Sequence, residues 1–219
     1  AAYNLTNFIE SNGYEAAPVF PNPCDIEPSG VPVAEGKHAP NVYPDFDYAA
    51  VACGLCTISY NGIAFSKQFG SRQRFHMILT DAEIEPTPLL EDNVCNGCRL
   101  CADACPLGAI SKTETEEIVI CGKKFTVGKI DYEKCKICQN GAVANRFSND
   151  AKPDRIAALC NRTCMCELEE RGVLTNVFEN KFRTKAAWVI GKTQSSVDHS
   201  DERANVLGGA FSKSGKRGH

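Results

Sequence analysis

No apolar run in this sequence approaches the length needed to cross a bilayer, and its opening, AAYNLTNFIESNG, has neither the basic end nor the apolar core of a secretory signal. The expectation is a chain with no membrane partner, working in the cytoplasm. The 219 residues carry 24 Lys and Arg against 27 Asp and Glu, a net charge of -3, so no broad basic field draws the chain to nucleic acid. A short basic tail, Lys213, Lys216 and Arg217, sits among Gly and Ser and reads as a solvated terminus. The histidines His38, His76, His199 and His219 are scattered, and His76, in a strand-like stretch, reads as a structural residue rather than a ligand or base. Neither a nucleotide-binding glycine fingerprint nor a nucleophile elbow is present. Dinucleotide chemistry and serine-type hydrolysis therefore have no foothold.

Cysteine is what the sequence has in excess. There are 13, an odd number, several of them two residues apart in CxxC pairs. That pattern suits metal-bound thiolates better than a disulfide framework. With 43% hydrophobic residues the chain can also bury the core of one or two ordinary domains.

Local patterns predict an α+β organisation. In LTNFIESNGY, Leu5, Phe8 and Ile9 recur at helical spacing and Gly13 supplies a left-handed stop. A short apolar piece, APVF, follows, and Pro21 to Pro44 reads as a long surface loop. DYAAVACGL reads as a helix and RFHMILTD, residues 74 to 81, as a buried strand. EEIVICGKKFTVGKI reads as a hairpin about Gly122 and Lys123. Farther on, Pro153 can open a helix that Gly172 closes, with Ile156, Leu159, Cys160 and Cys164 on one face. Beyond Trp188 the Ser, Gly and charged residues predict an extended tail.

Residues 95 to 106, CNGCRLCADACP, are a C-x2-C-x2-C-x3-C-P run of the bacterial ferredoxin type. Three thiolates on one tight loop reach three irons of one cubane, while the fourth is carried past it toward another. Cys95, Cys98 and Cys101 are thus expected on one 4Fe-4S cluster and Cys105 on a second. Four ligands are still wanted from Cys121, Cys135, Cys138, Cys160, Cys164 and Cys166. Cys135 and Cys138 form a CxxC pair, and Cys160 and Cys164 are four apart on one helical face, so these four are favoured and Cys121 and Cys166 held in reserve. Structural zinc on the two CxxC pairs is the weaker alternative, since the gap between them exceeds that of a zinc ribbon and zinc has no use for two more cysteines before a proline. Cys24, Cys53 and Cys56 read as unligated core thiols.

The stretch DYAAVACGLCTISYNGIAFSKQFGSRQRFHMILTDAEIEP, followed by CNGCRLCADACPLGAI, resembles the epoxyqueuosine reductases and the cobalamin-dependent reductive dehalogenases, over roughly residues 45 to 110. Asn61, Gly62, Phe69, Gly70, Arg72, Thr80 and Asp81 stand at matching positions. Tyr60 replaces a basic residue common in the family, and CNRTCMC, Cys160 to Cys166, replaces its closing CxxC-x3-CP. The resemblance implies a nitroreductase-like, cobalamin-domain remnant over residues 1–88, truncated relative to the family, a ferredoxin-like two-cluster domain over 89–190 and a tail over 191–219. It implies electrons passing through the clusters to a corrinoid that reduces the substrate. Half a corrinoid domain disfavours cobalamin, however, so the expected function is a two-cluster electron carrier with a redox partner protein. The alternatives are a cobalamin-type reductase completed elsewhere, with tRNA as substrate partner or a homodimer supplying the missing half, and a zinc-stapled binding module.

Overall fold

The structure is a computed structural model that describes residues 1–19, 32, 34–36, 45–145 and 152–176. It is a mixed α and β fold in which the described strands pair as three antiparallel two-stranded sheets. Helix α1, Ala2–Ser11, is followed by Gly13 at φ 89, as the sequence predicts. Strand β1, Ala16–Val19, pairs with β4, Met77–Thr80. The RFHMILTD stretch is therefore strand only at its end, and it is not buried: Leu79 is 59% exposed, because β1 is its one partner in a two-stranded sheet. His76 lies just before β4 and is exposed rather than structural.

Helix α2, Phe46–Ala52, starts where the Asp45 carboxylate accepts from the N–H groups of Asp47 (2.9 Å) and Tyr48 (3.2 Å), a side-chain cap. The short strands β2, Thr57–Ile58, and β3, Ala64–Phe65, then fold back on each other around residues 59–63. Helix α3, Leu100–Asp103, sits inside the cysteine run. Strands β5, Ile110–Ile120, and β6, Lys123–Ile130, form the expected hairpin, but its turn residues are Cys121 at φ 48 and Gly122 at φ 80 rather than Gly122 and Lys123. Two consecutive positive φ values match a turn whose twist suits the strands.

Helix α4, Tyr132–Lys136, carries Cys135, and α5, Leu159–Glu170, carries Cys160, Cys164 and Cys166. The last helix begins six residues later than Pro153 allows. The reason is a β-bridge between Val143 and Asp154, which holds residues 152–158 out of helical geometry and leaves Ile156 off the helix. Gly172 at φ 64 follows its end. Cys24, Trp188, His38, His199, His219, most of the Pro21–Pro44 loop and the tail lie outside the described residues.

Two apolar clusters hold these elements. One joins α2 and the β2–β3 pair to the hairpin through Val51, Cys56, Ile58, Phe125 and Val127. The other gathers Tyr60, Ile63 and Phe65 with Cys101, Cys160, Cys164, Met165 and Leu168. Phe65 and Phe125 are each 1% exposed, and full burial of such a side chain contributes about 1.5–3 kcal/mol. The second cluster unites residues from both sides of position 88, so the segment carrying the family resemblance forms one wall of the cysteine core.

Candidate iron-sulfur site

Each part of the cysteine run has a local reason for its shape. Arg99 takes φ 64, uncommon for a residue with a Cβ, and reverses the chain between Cys98 and α3 so that Cys101 turns inward. Its guanidinium is anchored by donation to the Lys112 carbonyl (3.0 Å) and stacks 5.4 Å from the Tyr60 ring centroid. At the other end of α3 the chain runs past Cys105, whose Sγ accepts from the Ala109 N–H at 3.1 Å. Cys135 is delivered by α4, capped by Asp131. The segment after Cys138 is clamped to the start of α5 by a bond from Leu159 N–H to the Asn140 carbonyl, 2.9 Å.

The eight favoured cysteines are brought into one neighbourhood, in two groups that overlap electrostatically, since the charge of Cys101 reaches Cys160 and that of Cys160 reaches Cys164. Cys101 and Cys164 are hydrogen-bonded to each other, and the charges of Cys95 and Cys101 are felt at both Cys98 and Cys164. Cys105, Cys135, Cys138 and Cys160 line a single cavity, walled otherwise mostly by Ile110, Leu107, Ala142, Ala158 and Leu159. The first set is thus Cys95, Cys98, Cys101 and Cys164; the second is Cys105, Cys135, Cys138 and Cys160. The first takes three residues from the ferredoxin-type run and one from α5; the second takes two from α4 and the turn after it, one from the end of the run and one from α5. Among the described residues, no three His, Cys, Asp or Glu side chains converge on one metal-ion position.

The reserves lie elsewhere. Cys121 is exposed at the tip of the β5–β6 hairpin and Cys166 is half-buried on α5; of the expected core thiols, Cys56 is buried among α2 and hairpin residues, but Cys53 is exposed, because it caps the end of α2. Burial, with Asp47 next in influence, pushes the Cys56 thiol up to about 12, as expected for an unligated core thiol.

Burial also raises the free thiols of Cys135, to about 11, and Cys160, to about 12; the Arg155 cation is the largest influence opposing it in both. Cys138 and Cys98 are raised by burial against the Asn140 and Leu100 N–H groups respectively. Cys101 is lowered because Cys164 donates a hydrogen bond to it, and Cys164 is raised by the same bond. Dry thiols of this kind ionise readily only when a cation takes the charge, so metal loading here releases protons.

The sulfurs also meet donors that the cysteine pattern does not reveal. Tyr60 N–H points to Cys95 Sγ at 3.4 Å, Gly97 N–H to the same atom at 3.4 Å, and Asn61 Nδ2 to Cys164 Sγ at 3.7 Å. Asn61 is fully buried and its Oδ1 accepts from the Ser59 hydroxyl at 2.5 Å, which fixes the amide's orientation. The only sequence signal for this residue is its place in the SYNG stretch of the family resemblance. Residues 71 and 72 fasten that stretch to α5. Arg72 pairs with Glu169, Ser71 N–H meets Met165 Sδ at 3.2 Å, and Asn161 Nδ2 donates to Ser71 Oγ at 2.8 Å.

Soft cysteine sulfurs beside a largely carbon-lined cavity, several of them met by N–H donors, are the donor chemistry an iron-sulfur cluster takes. The comparison with known proteins agrees. The model of the 4Fe-4S binding domain family matches residues 90–111, the segment containing Cys95, Cys98, Cys101 and Cys105. A tetrachloroethene reductive dehalogenase of Desulfitobacterium hafniense is 28% identical over 142 residues, 64% of this chain and 20% of the relative. Another from the same organism is 31% identical over 121 residues, 54% of this chain and 18% of the relative. One from Dehalobacter restrictus is 28% identical over 142 residues, again 64% and 20%. The chain thus spans about a fifth of the length of these curated relatives. It carries a ferredoxin-type 4Fe-4S binding segment and is distantly similar, over part of its length, to reductive dehalogenases.

Proposed function

We propose that this chain is an electron carrier with two 4Fe-4S clusters, one held by Cys95, Cys98, Cys101 and Cys164 and the other by Cys105, Cys135, Cys138 and Cys160. The observation that carries the reading is the crossing of ligands: Cys105 leaves its own run to join the cavity of Cys135, Cys138 and Cys160, while Cys164 returns from α5 to meet Cys101. Such clusters, when bound, store and release single electrons at potentials set by cluster charge, hydrogen bonds to sulfur and exposure. The chain's own residues do the rest. Tyr60, Gly97, Ala109 and Asn61 direct N–H donors at sulfur, and Ile110, Leu159 and Phe65 keep water from the cysteine core. Replacing Cys164 or Cys160 by Ser tests the pairing: each change should remove about half the iron, as one cubane of two collapses. Unchanged iron would reject the assignment.

A second reading has its own support. The similarity to tetrachloroethene reductive dehalogenases extends beyond the ferredoxin-type segment, and residues 60–72 pack against the cysteine helix. On that reading the chain is the cluster-bearing part of a cobalamin-type reductase, of the reductive dehalogenase or epoxyqueuosine reductase kind, acting on an organohalide or a tRNA base. Retention of added cobalamin through gel filtration would favour it over the carrier. A redox partner protein in the cytoplasm is the acceptor under the carrier reading.

A further inference from the structure

Arg155 is a strongly basic side chain held inside the fold, beside the second cysteine set. It is 6% exposed and lines the same cavity as Cys105, Cys135, Cys138 and Cys160. Its Nη1 is buried with no hydrogen-bond partner. The guanidinium lies 5.3 Å from the Tyr132 ring centroid, and a Cβ built on Gly62 would stand 3.6 Å from Nη2, so the head is confined between α4 and the 59–63 loop. Its backbone is fixed as well, by the bridge at Asp154 and by the bond from Ala158 N–H to its carbonyl, 3.0 Å. The carboxylate of Asp47 and the cysteines 101, 135 and 160 all feel its charge. Among the described residues, no carboxylate forms an ion pair with it.

A buried cation with an unused donor is costly unless a negative body faces it. On the reading that the second set holds a 4Fe-4S cluster, that body is the cluster, beside the more modest charge of Asp47. We propose that Arg155 is a redox-tuning residue: its fixed positive charge in the wall of the second cavity stabilises the reduced, more negative state of that cluster and lifts its potential above the value its thiolates alone would give. The electron is thereby biased toward the cluster of Cys105, Cys135, Cys138 and Cys160. Arg155 does not ligate the cluster and takes no part in exchanging its bonds.

The test compares wild-type protein with R155K, R155Q and R155M, all prepared without oxygen, measuring iron per chain and the midpoint potential of each cluster by voltammetry with spin-resonance assignment. About eight irons in the wild type is the precondition set by two cubanes, and about four would defeat the two-cluster reading itself, before Arg155 is reached. With eight irons present, R155Q and R155M should lower the reduced-to-oxidised ratio of the second cluster at fixed potential about tenfold, roughly 59 mV for a one-electron couple. The first cluster should move less, and R155K should stay near wild type because it keeps the charge. Equal potentials in all four proteins would overturn the proposal. So would loss of the second cluster from both neutral variants, which would make Arg155 a residue that holds the site together rather than one that tunes it.

Discussion

Gly141 offers the sharpest way to break one cluster and spare the other. It adopts φ 91, and a Cβ there would sit 2.3 Å from the Ala157 carbonyl oxygen and 2.9 Å from its carbon. The obstacle is backbone, which cannot swing aside as a side-chain end can. Relief requires residues 138–142 to draw back from residues 157–160 by about an ångström, enough to forfeit the Leu159 N–H to Asn140 bond. Asn140 is fully buried, so its carbonyl would be left without that partner. The left-handed conformation costs a residue with a Cβ about 1–2 kcal/mol and a buried unsatisfied group about 1–3 kcal/mol, so Gly141→Ala should cost roughly 2–5 kcal/mol. The strain falls between Cys138 and Cys160, two members of the second set. Iron and acid-labile sulfide per chain should therefore fall from about eight to about four, with the signal of the first cluster retained. Gly122→Ala is the control: at φ 80 with open space around it, it bears only the conformational cost and should keep its iron. A Gly141→Ala protein holding both clusters at full occupancy would refute the reasoning.

Other consequences follow from the same geometry. Cys164→Ser and Cys160→Ser should each remove about four irons but abolish different spin-resonance signals, and the double variant should hold neither intact cluster. Cys56→Ala and Cys121→Ser should leave iron content unchanged, since the first is a core thiol and the second lies exposed at a hairpin tip. Asn61→Leu removes the donor to Cys164 and should lower the first cluster's potential by roughly 40 mV or less, the equivalent of about 1 kcal/mol of hydrogen bonding; an unmoved potential would show that this contact has no electrostatic effect. The raised Cys56 thiol makes stability pH-dependent: the unfolded chain loses this proton from about pH 9, the folded protein only near 12, so stability falls as pH rises across that window. The single group contributes a loss of about 1.4 kcal/mol by pH 10, measurable by denaturant titration and absent in Cys56→Ala.

The ferredoxin-type run was legible in the sequence because its spacing is itself the geometry: three thiolates on a tight loop and a fourth projected beyond it. The helical pair Cys160 and Cys164 was equally legible from the spacing of one turn, and both face the core. What the sequence does not show is which neighbours each meets, Cys101 for Cys164 and the cavity of Cys105, Cys135 and Cys138 for Cys160, because that depends on how α5 packs against α3. The helix start was misplaced for a similar reason. Pro153 is compatible with a first turn, but pairing of Asp154 with Val143, a contact between segments, overrides the local preference. The stretch at residues 74–81 looked buried from its apolar composition, yet a strand with a single partner leaves Leu79 to solvent. Arg155 had no signal at all, since a lone arginine before an apolar segment is ordinarily solvated; only its burial beside four cysteines marks it.

Iron, acid-labile sulfide and cobalt, counted per chain on protein purified without oxygen, test the central claim most directly. Two thiolate sets of four predict about eight irons and eight sulfides, with no cobalt retained. Eight irons accompanied by about one cobalt per chain would transfer the account to the cobalamin-type reductase, and zinc in place of iron would contradict it outright.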